Sequence, residues 1–102
     1  MDECIQNCSD CQRECLKTIA ELYKDPYHDH NLVTRLQVCA DMCNTAMTAM
    51  CLESSDHVIT CKACYEICYK CQESCEDYKL EHCAEMCQTC GDSCYDMVAG
   101  AL

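Results

Sequence analysis

Reduced to apolar and polar positions, the chain advances in steps of three and four, and the residue that recurs at those steps is cysteine. Each residue turns an α-helix by about 100°, so Cys4, Cys8, Cys11 and Cys15 fall within an arc of roughly 60° on one helix face. Cys83, Cys87, Cys90 and Cys94 repeat that spacing, and Cys61, Cys64, Cys68, Cys71 and Cys75 share an arc of about 80°. A further stretch keeps the stagger through Cys39, Cys43, Ala46 and Met50, with Cys51 off to one side. Breaks fall between these runs. Pro26 and the following Tyr-His-Asp-His segment end the first helix, Asn31 is the expected cap of the second, and Ser54 and Ser55 precede the third. The break at Glu76 to Leu80 contains no Gly or Pro and is read from the interrupted cysteine pattern alone. The pattern predicts helices at about 2 to 24, 32 to 53, 56 to 76 and 80 to 98. Short connections then favour an all-α, antiparallel up-down-up-down four-helix bundle with a Cys-lined core, residues 1–102 forming a single domain. Gly91 inside the fourth helix costs about 1 kcal/mol relative to Ala, which suggests a close helix approach there.

Composition changes the picture of the core. Leu, Ile and Val total fifteen, Phe and Trp are absent, and the net charge is -11, which by itself would read as disorder. Sixteen cysteines reverse that, because a reduced cysteine behaves as a small buried hydrophobe. Such density usually marks a secreted disulfide scaffold, but Met1 to Cys15 shows neither a basic segment nor an apolar run of the export type. A reducing cytoplasm is therefore the expected location. The longest uncharged stretch, Met42 to Leu52, falls short of the roughly 18 apolar residues of a membrane span. Eighteen acidic against seven basic side chains argue against nucleic acid and anionic membrane partners.

Seven Cys-x-x-x-Cys pairs supply the candidate chemistry: 4/8, 11/15, 39/43, 64/68, 71/75, 83/87 and 90/94. On a helix such partners have Cβ atoms about 5 to 6 Å apart, against about 3.5 to 4.5 Å for a disulfide. A metal bridges that gap, since two bonds of roughly 2.3 Å reach across about 4.6 Å. Sixteen thiolates with about sixteen copper(I) ions form a neutral interior, whereas each Cys₄ zinc site buries a charge of about -2. Copper(I) is also soft and accepts low coordination numbers, and loading must release protons. A zinc or general soft-metal buffer and an iron-sulfur electron carrier are the alternatives. The Cys-x-x-Cys units at 8/11, 61/64, 68/71 and 87/90 carry no βαβ context and no ferredoxin-type run. No nucleophile with a positioned base is visible, so no enzyme activity is expected.

This pattern resembles the cytosolic copper storage proteins, a bacterial family of four-helix bundles holding copper(I) on inward-facing cysteines. The resemblance rests on the repeated Cys-x-x-x-Cys pairs, the short loops, the missing signal and His82 immediately before Cys83. It implies two-coordinate thiolate copper, many ions per chain, His and Met ligands near a mouth, and a homotetramer. All sixteen cysteines and His82 are the expected metal ligands, with copper delivered by a chaperone or as a low-molecular-weight thiol complex. The first helix departs from the family after Cys15, where Ile19 and Leu22 take inward positions. One bundle end gathers His28, His30 and His82, which the resemblance favours as the entrance, but Leu22, Leu32 and Leu36 project there too. The other gathers Met47, Met50, Cys51, His57, Cys61, Cys94 and Met97, whose thioethers suit soft copper. Tyr65, Tyr69 and Tyr95 are candidates for packing between protomers.

Overall fold

The computed structural model describes residues 1–101. It contains α1 (Asp2–Leu22), α2 (His30–Cys51), α3 (His57–Asp77) and α4 (Glu81–Ala101). α1 packs on α2 and α4, and α3 packs on α2 and α4, which gives the antiparallel four-helix bundle its cyclic order. The molecule measures 44 × 21 × 19 Å.

Helix ends explain where the boundaries moved. Asp29, not Asn31, caps α2: its carboxylate accepts the N–H groups of Asn31 at 2.8 Å and Leu32 at 3.4 Å, so the helix starts two residues early. The same carboxylate accepts the Tyr78 hydroxyl from the α3–α4 connection, and this bond holds Asp29 below the usual carboxylate range. α1 stops at Leu22, and Lys24 and Asp25 continue it only as tighter turns, their N–H groups reaching Glu21 and Leu22 carbonyls at 3.1 Å. α2 and α3 end differently from α1 and like each other. Ser54 N–H reaches the Ala49 carbonyl at 2.9 Å and Leu80 N–H reaches Cys75 at 2.8 Å, while Glu53 and Lys79 turn left-handed with φ of 53° and 59°. Glycine usually fills that position, and its absence is why the break near Tyr78 is faint in the sequence. α4 runs on to Ala101, three residues past the expected end at 98.

Apolar groups close one end of the interior: Ile19, Leu32, Val33 and Leu36 are buried at the histidine end, and Leu22 and Leu80 pack partly buried against the core. At the methionine end Ala46, Ala49 and Met50 are buried on α2 alone. Beyond the histidine-end plug the core is sulfur. Gly91 lies buried on α4 against the Tyr69 ring of α3, as the expected close approach requires.

Candidate metal centre

Fifteen cysteines are buried and one, Cys51, is exposed, and all sixteen are unpaired. The nearest sulfurs stand 3.6 Å apart, far beyond the roughly 2.05 Å of a disulfide bond. From the methionine end, Cys4 lies 3.6 Å from Cys94, and Cys8 bridges Cys94 at 3.7 Å and Cys90 at 3.6 Å. Cys43 then meets Cys90 and Cys68 at 3.8 and 3.9 Å, and Cys64 meets Cys68 at 3.8 Å. Cys11 approaches Cys87 at 3.9 Å, and Cys39 approaches Cys68 at 3.8 Å. Cys15, Cys71, Cys75 and Cys83 continue the column towards the histidine end, each buried. Four elements thus interleave their thiols because each presents one staggered face to a common axis.

The sulfurs group into compact donor sets that share members. Cys8, Cys64, Cys90 and Cys94 form one; Cys43, Cys64, Cys68 and Cys90 another; Cys11, Cys39, Cys43 and Cys68 a third; Cys11, Cys15, Cys39 and Cys87 a fourth. Within each set every sulfur lies inside 4.8 Å of the others. Sharing makes the sets one continuous lattice rather than separate tetrahedral cages. An isolated structural zinc site has four ligands of its own, which overlapping sets do not provide. Linear bridging by a single ion asks for about 4.6 Å between sulfurs, so neighbours at 3.6 to 3.9 Å must part by rotation about χ1.

Protonation is divided within the lattice. Cys11 is held well below the usual thiol range by hydrogen bonds from Cys15, Cys39, Cys43 and Cys68. Cys15 and Cys68 are pushed up, chiefly because their protons are engaged by Cys11. Cys71 is drawn down to about 5, first by its hydrogen bond with Cys15. Cys87 and Cys90 are pushed up by their hydrogen bonds, Cys11 first, and burial adds to the shift.

The other expected ligands are placed differently. The His82 side chain is 67% exposed, its Nε2 3.7 Å from the Glu14 carboxylate of α1, outside the sulfur column. Cys51 is likewise on the surface. His30 is exposed, His28 holds the Asp25 carbonyl at 2.8 Å, and His57 holds the Ser54 carbonyl at 2.8 Å. Met50 is fully buried beside the column, and Met47 and Met97 pack partly buried against it. Two features went unmarked in the sequence. The Tyr78–Asp29 bond ties the α3–α4 connection to the start of α2 over the histidine end. At the opposite end Met1, Glu3, Ser93, Asp96 and Met97 surround Cys4 in a surface hollow of about 180 Å³. The cysteine stagger pointed to Cys4 and the methionine count to Met97, whereas Met1, Glu3, Ser93 and Asp96 carried no signal in the pattern.

Known proteins resemble this chain in sequence and in fold. Residues 1–99 match the family described as copper storage protein, Csp. The chain is 29% identical over 83 residues to the uncharacterized cysteine-rich protein YhjQ of Bacillus subtilis (strain 168), covering 79% of this chain and 77% of that one. The crystal structure of the Nmul_A1745 protein from Nitrosospira multiformis superposes with a TM-score of 0.89 at 30% identity, covering 96% of this chain and 94% of that one. With a sulfur-lined bundle core and a match along almost its full length, the chain belongs to the copper storage protein family.

Proposed function

We propose that this chain stores copper(I) as many ions per molecule, bonded to the fifteen buried thiols along the bundle axis, and that the whole chain acts as one storage domain. The observation that carries this is the sharing of sulfurs between successive donor sets, which suits a file of low-coordinate soft ions. One copper(I) per thiolate leaves the interior neutral, so capacity is about fifteen ions. No reaction is catalysed: copper is cargo, exchanged for protons on the way in.

The methionine end is the better entrance. Ile19, Leu32 and Leu36 bury the histidine end, and the Tyr78–Asp29 bond braces the loop above them. At the other end Cys4 retains 4% exposure at the floor of its hollow, with Met1 and Met97 on the rim as exchangeable thioether donors. His82 then serves the outer surface, paired with Glu14, rather than the copper file. A reducing cytoplasm keeps the thiols available, and a copper chaperone or a small-thiol copper complex would deliver the metal. Tyr65 and Tyr95, whose rings meet edge to face at 5.3 Å, offer an aromatic face for a homotetramer.

Anaerobic titration of the reduced protein with copper(I) under a strong competing chelator tests the reading. Saturation at about one ion per buried thiol is expected. Saturation after one to four ions, or a coloured iron-loaded protein on anaerobic reconstitution, contradicts it.

A further inference from the structure

At the methionine end the sulfur lattice ends differently from the way it runs inside. Cys4, Cys61 and Cys94, from three different helices, have sulfurs within 4.8 Å of one another, and Cys4 and Cys94 are 3.6 Å apart. α2 adds no thiol at this level. Met50 lies seven residues beyond Cys43, as Cys4 and Cys61 lie seven before Cys11 and Cys68, so by helical register, about 10.5 Å along the axis, it stands on α2 at the level of the triad. The layer therefore offers three ionisable sulfurs and no fourth thiol.

We propose that this triad is a binding site for a trivalent, pyramidal soft metalloid, of which arsenous acid is the simplest aqueous form. Charge permits it: three thiolates around a single +3 centre are neutral, so one ion balances the layer where three copper(I) ions would otherwise be needed. Geometry is compatible with it, as it is at Cys8 and Cys90, also 3.6 Å apart. Taking about 2.3 Å for a bond to thiolate sulfur, a pyramid with angles near 100° needs sulfurs about 3.5 Å apart, while linear coordination needs about 4.6 Å. The Cys4–Cys94 separation of 3.6 Å already meets the first requirement and not the second. With Met50 on α2 at this level, no fourth thiolate adds charge.

The step balances without an oxidant. Arsenous acid and three thiols exchange three As–O bonds for three As–S bonds, and each thiol proton leaves with a hydroxyl group as water. Arsenic stays trivalent and sulfur stays at the thiol level. Access favours this layer over the deeper ones, because the hollow at Cys4 opens to solvent whereas Cys64 and Cys68 are fully enclosed. The site needs only reduced thiols and stands whether or not the column stores copper.

The reduced, metal-free protein is titrated with sodium arsenite, and bound arsenic is counted by native mass spectrometry and its ligands by X-ray absorption. One tight arsenic per chain, surrounded by three sulfurs and no oxygen, is expected. Cys4→Ser and Cys94→Ser should each lose the tight site, while Cys75→Ser, at the far end of the column, should keep it. Circular dichroism of each variant confirms that the helices persist. Tight binding that survives both Cys4→Ser and Cys94→Ser, that disappears in Cys75→Ser, or that shows As–O bonds overturns the site. Copper uptake measured on the same samples separates the two claims: intact copper loading with no arsenic bound refutes only the triad.

Discussion

Substituting Gly91 by Ala places two effects of similar size in opposition. A Cβ on Gly91 would stand 2.7 Å from Tyr69 Cε1 and 3.0 Å from Cδ1, so the ring must move. Tyr69 is held there by its hydroxyl, which donates to Asp92 at 2.7 Å, and by the Tyr65 ring at a centroid distance of 6.1 Å. Swinging the ring outward gives up a hydrogen bond worth about 0.5 to 1.5 kcal/mol and an aromatic contact of about the same size. Against this, Ala gains about 1 kcal/mol of helix propensity over Gly. The loss prevails by about 1 kcal/mol, which lowers Tm by roughly 4 to 8 °C in a domain of this size. Thermal melts of the reduced, metal-free protein by circular dichroism measure it. In a Tyr69→Ala background the clash is gone and Gly91→Ala should instead stabilise by about 1 kcal/mol. A single Gly91→Ala variant that melts higher than the parent would refute the reasoning.

Three further outcomes can be measured. Glu53→Gly and Lys79→Gly relieve left-handed residues at the ends of α2 and α3 and should each raise stability by about 0.5 to 1 kcal/mol in urea melts. Leu36→Ala, at a fully enclosed position of the histidine-end plug, should cost about 2.7 to 5 kcal/mol in the same assay. Copper retention should weaken as pH falls: Cys87 and Cys90 are pushed up, so protons compete for the sulfurs, and a chelator should withdraw copper faster at acid pH. Retention independent of pH would mean that thiolates are not the ligands.

Four helices and their inward faces were legible because one residue type marks the seam. Cysteine recurs at the helical period on every element, so periodicity and chemistry pointed to the same face. The Asn31 cap was not legible correctly. Asp29 and Asn31 both suit a cap; Asp29 takes the role with one carboxylate oxygen while the other accepts from Tyr78, 49 residues away, a contact that no local pattern carries. His82 and Cys51 lie outside the buried column for a shared reason. Each is the immediate neighbour of a buried core residue, Cys83 and Met50, and one step along a helix turns the side chain about 100° away from the axis. Adjacency in sequence is thus the wrong measure of adjacency at a helical site. The apolar plug at the histidine end was foreshadowed by Leu22, Leu32 and Leu36, whereas its brace of Tyr78 on Asp29 became visible only in three dimensions.

Anomalous X-ray scattering at the copper edge, from crystals grown of the reduced protein and loaded anaerobically, locates the metal directly. A file of copper peaks along the bundle axis, running from the layer of Cys4, Cys61 and Cys94 to that of Cys75 and Cys83, is the expected map. Peaks confined to surface carboxylates, histidines and Cys51, with the axis empty, would contradict a sulfur-lined store.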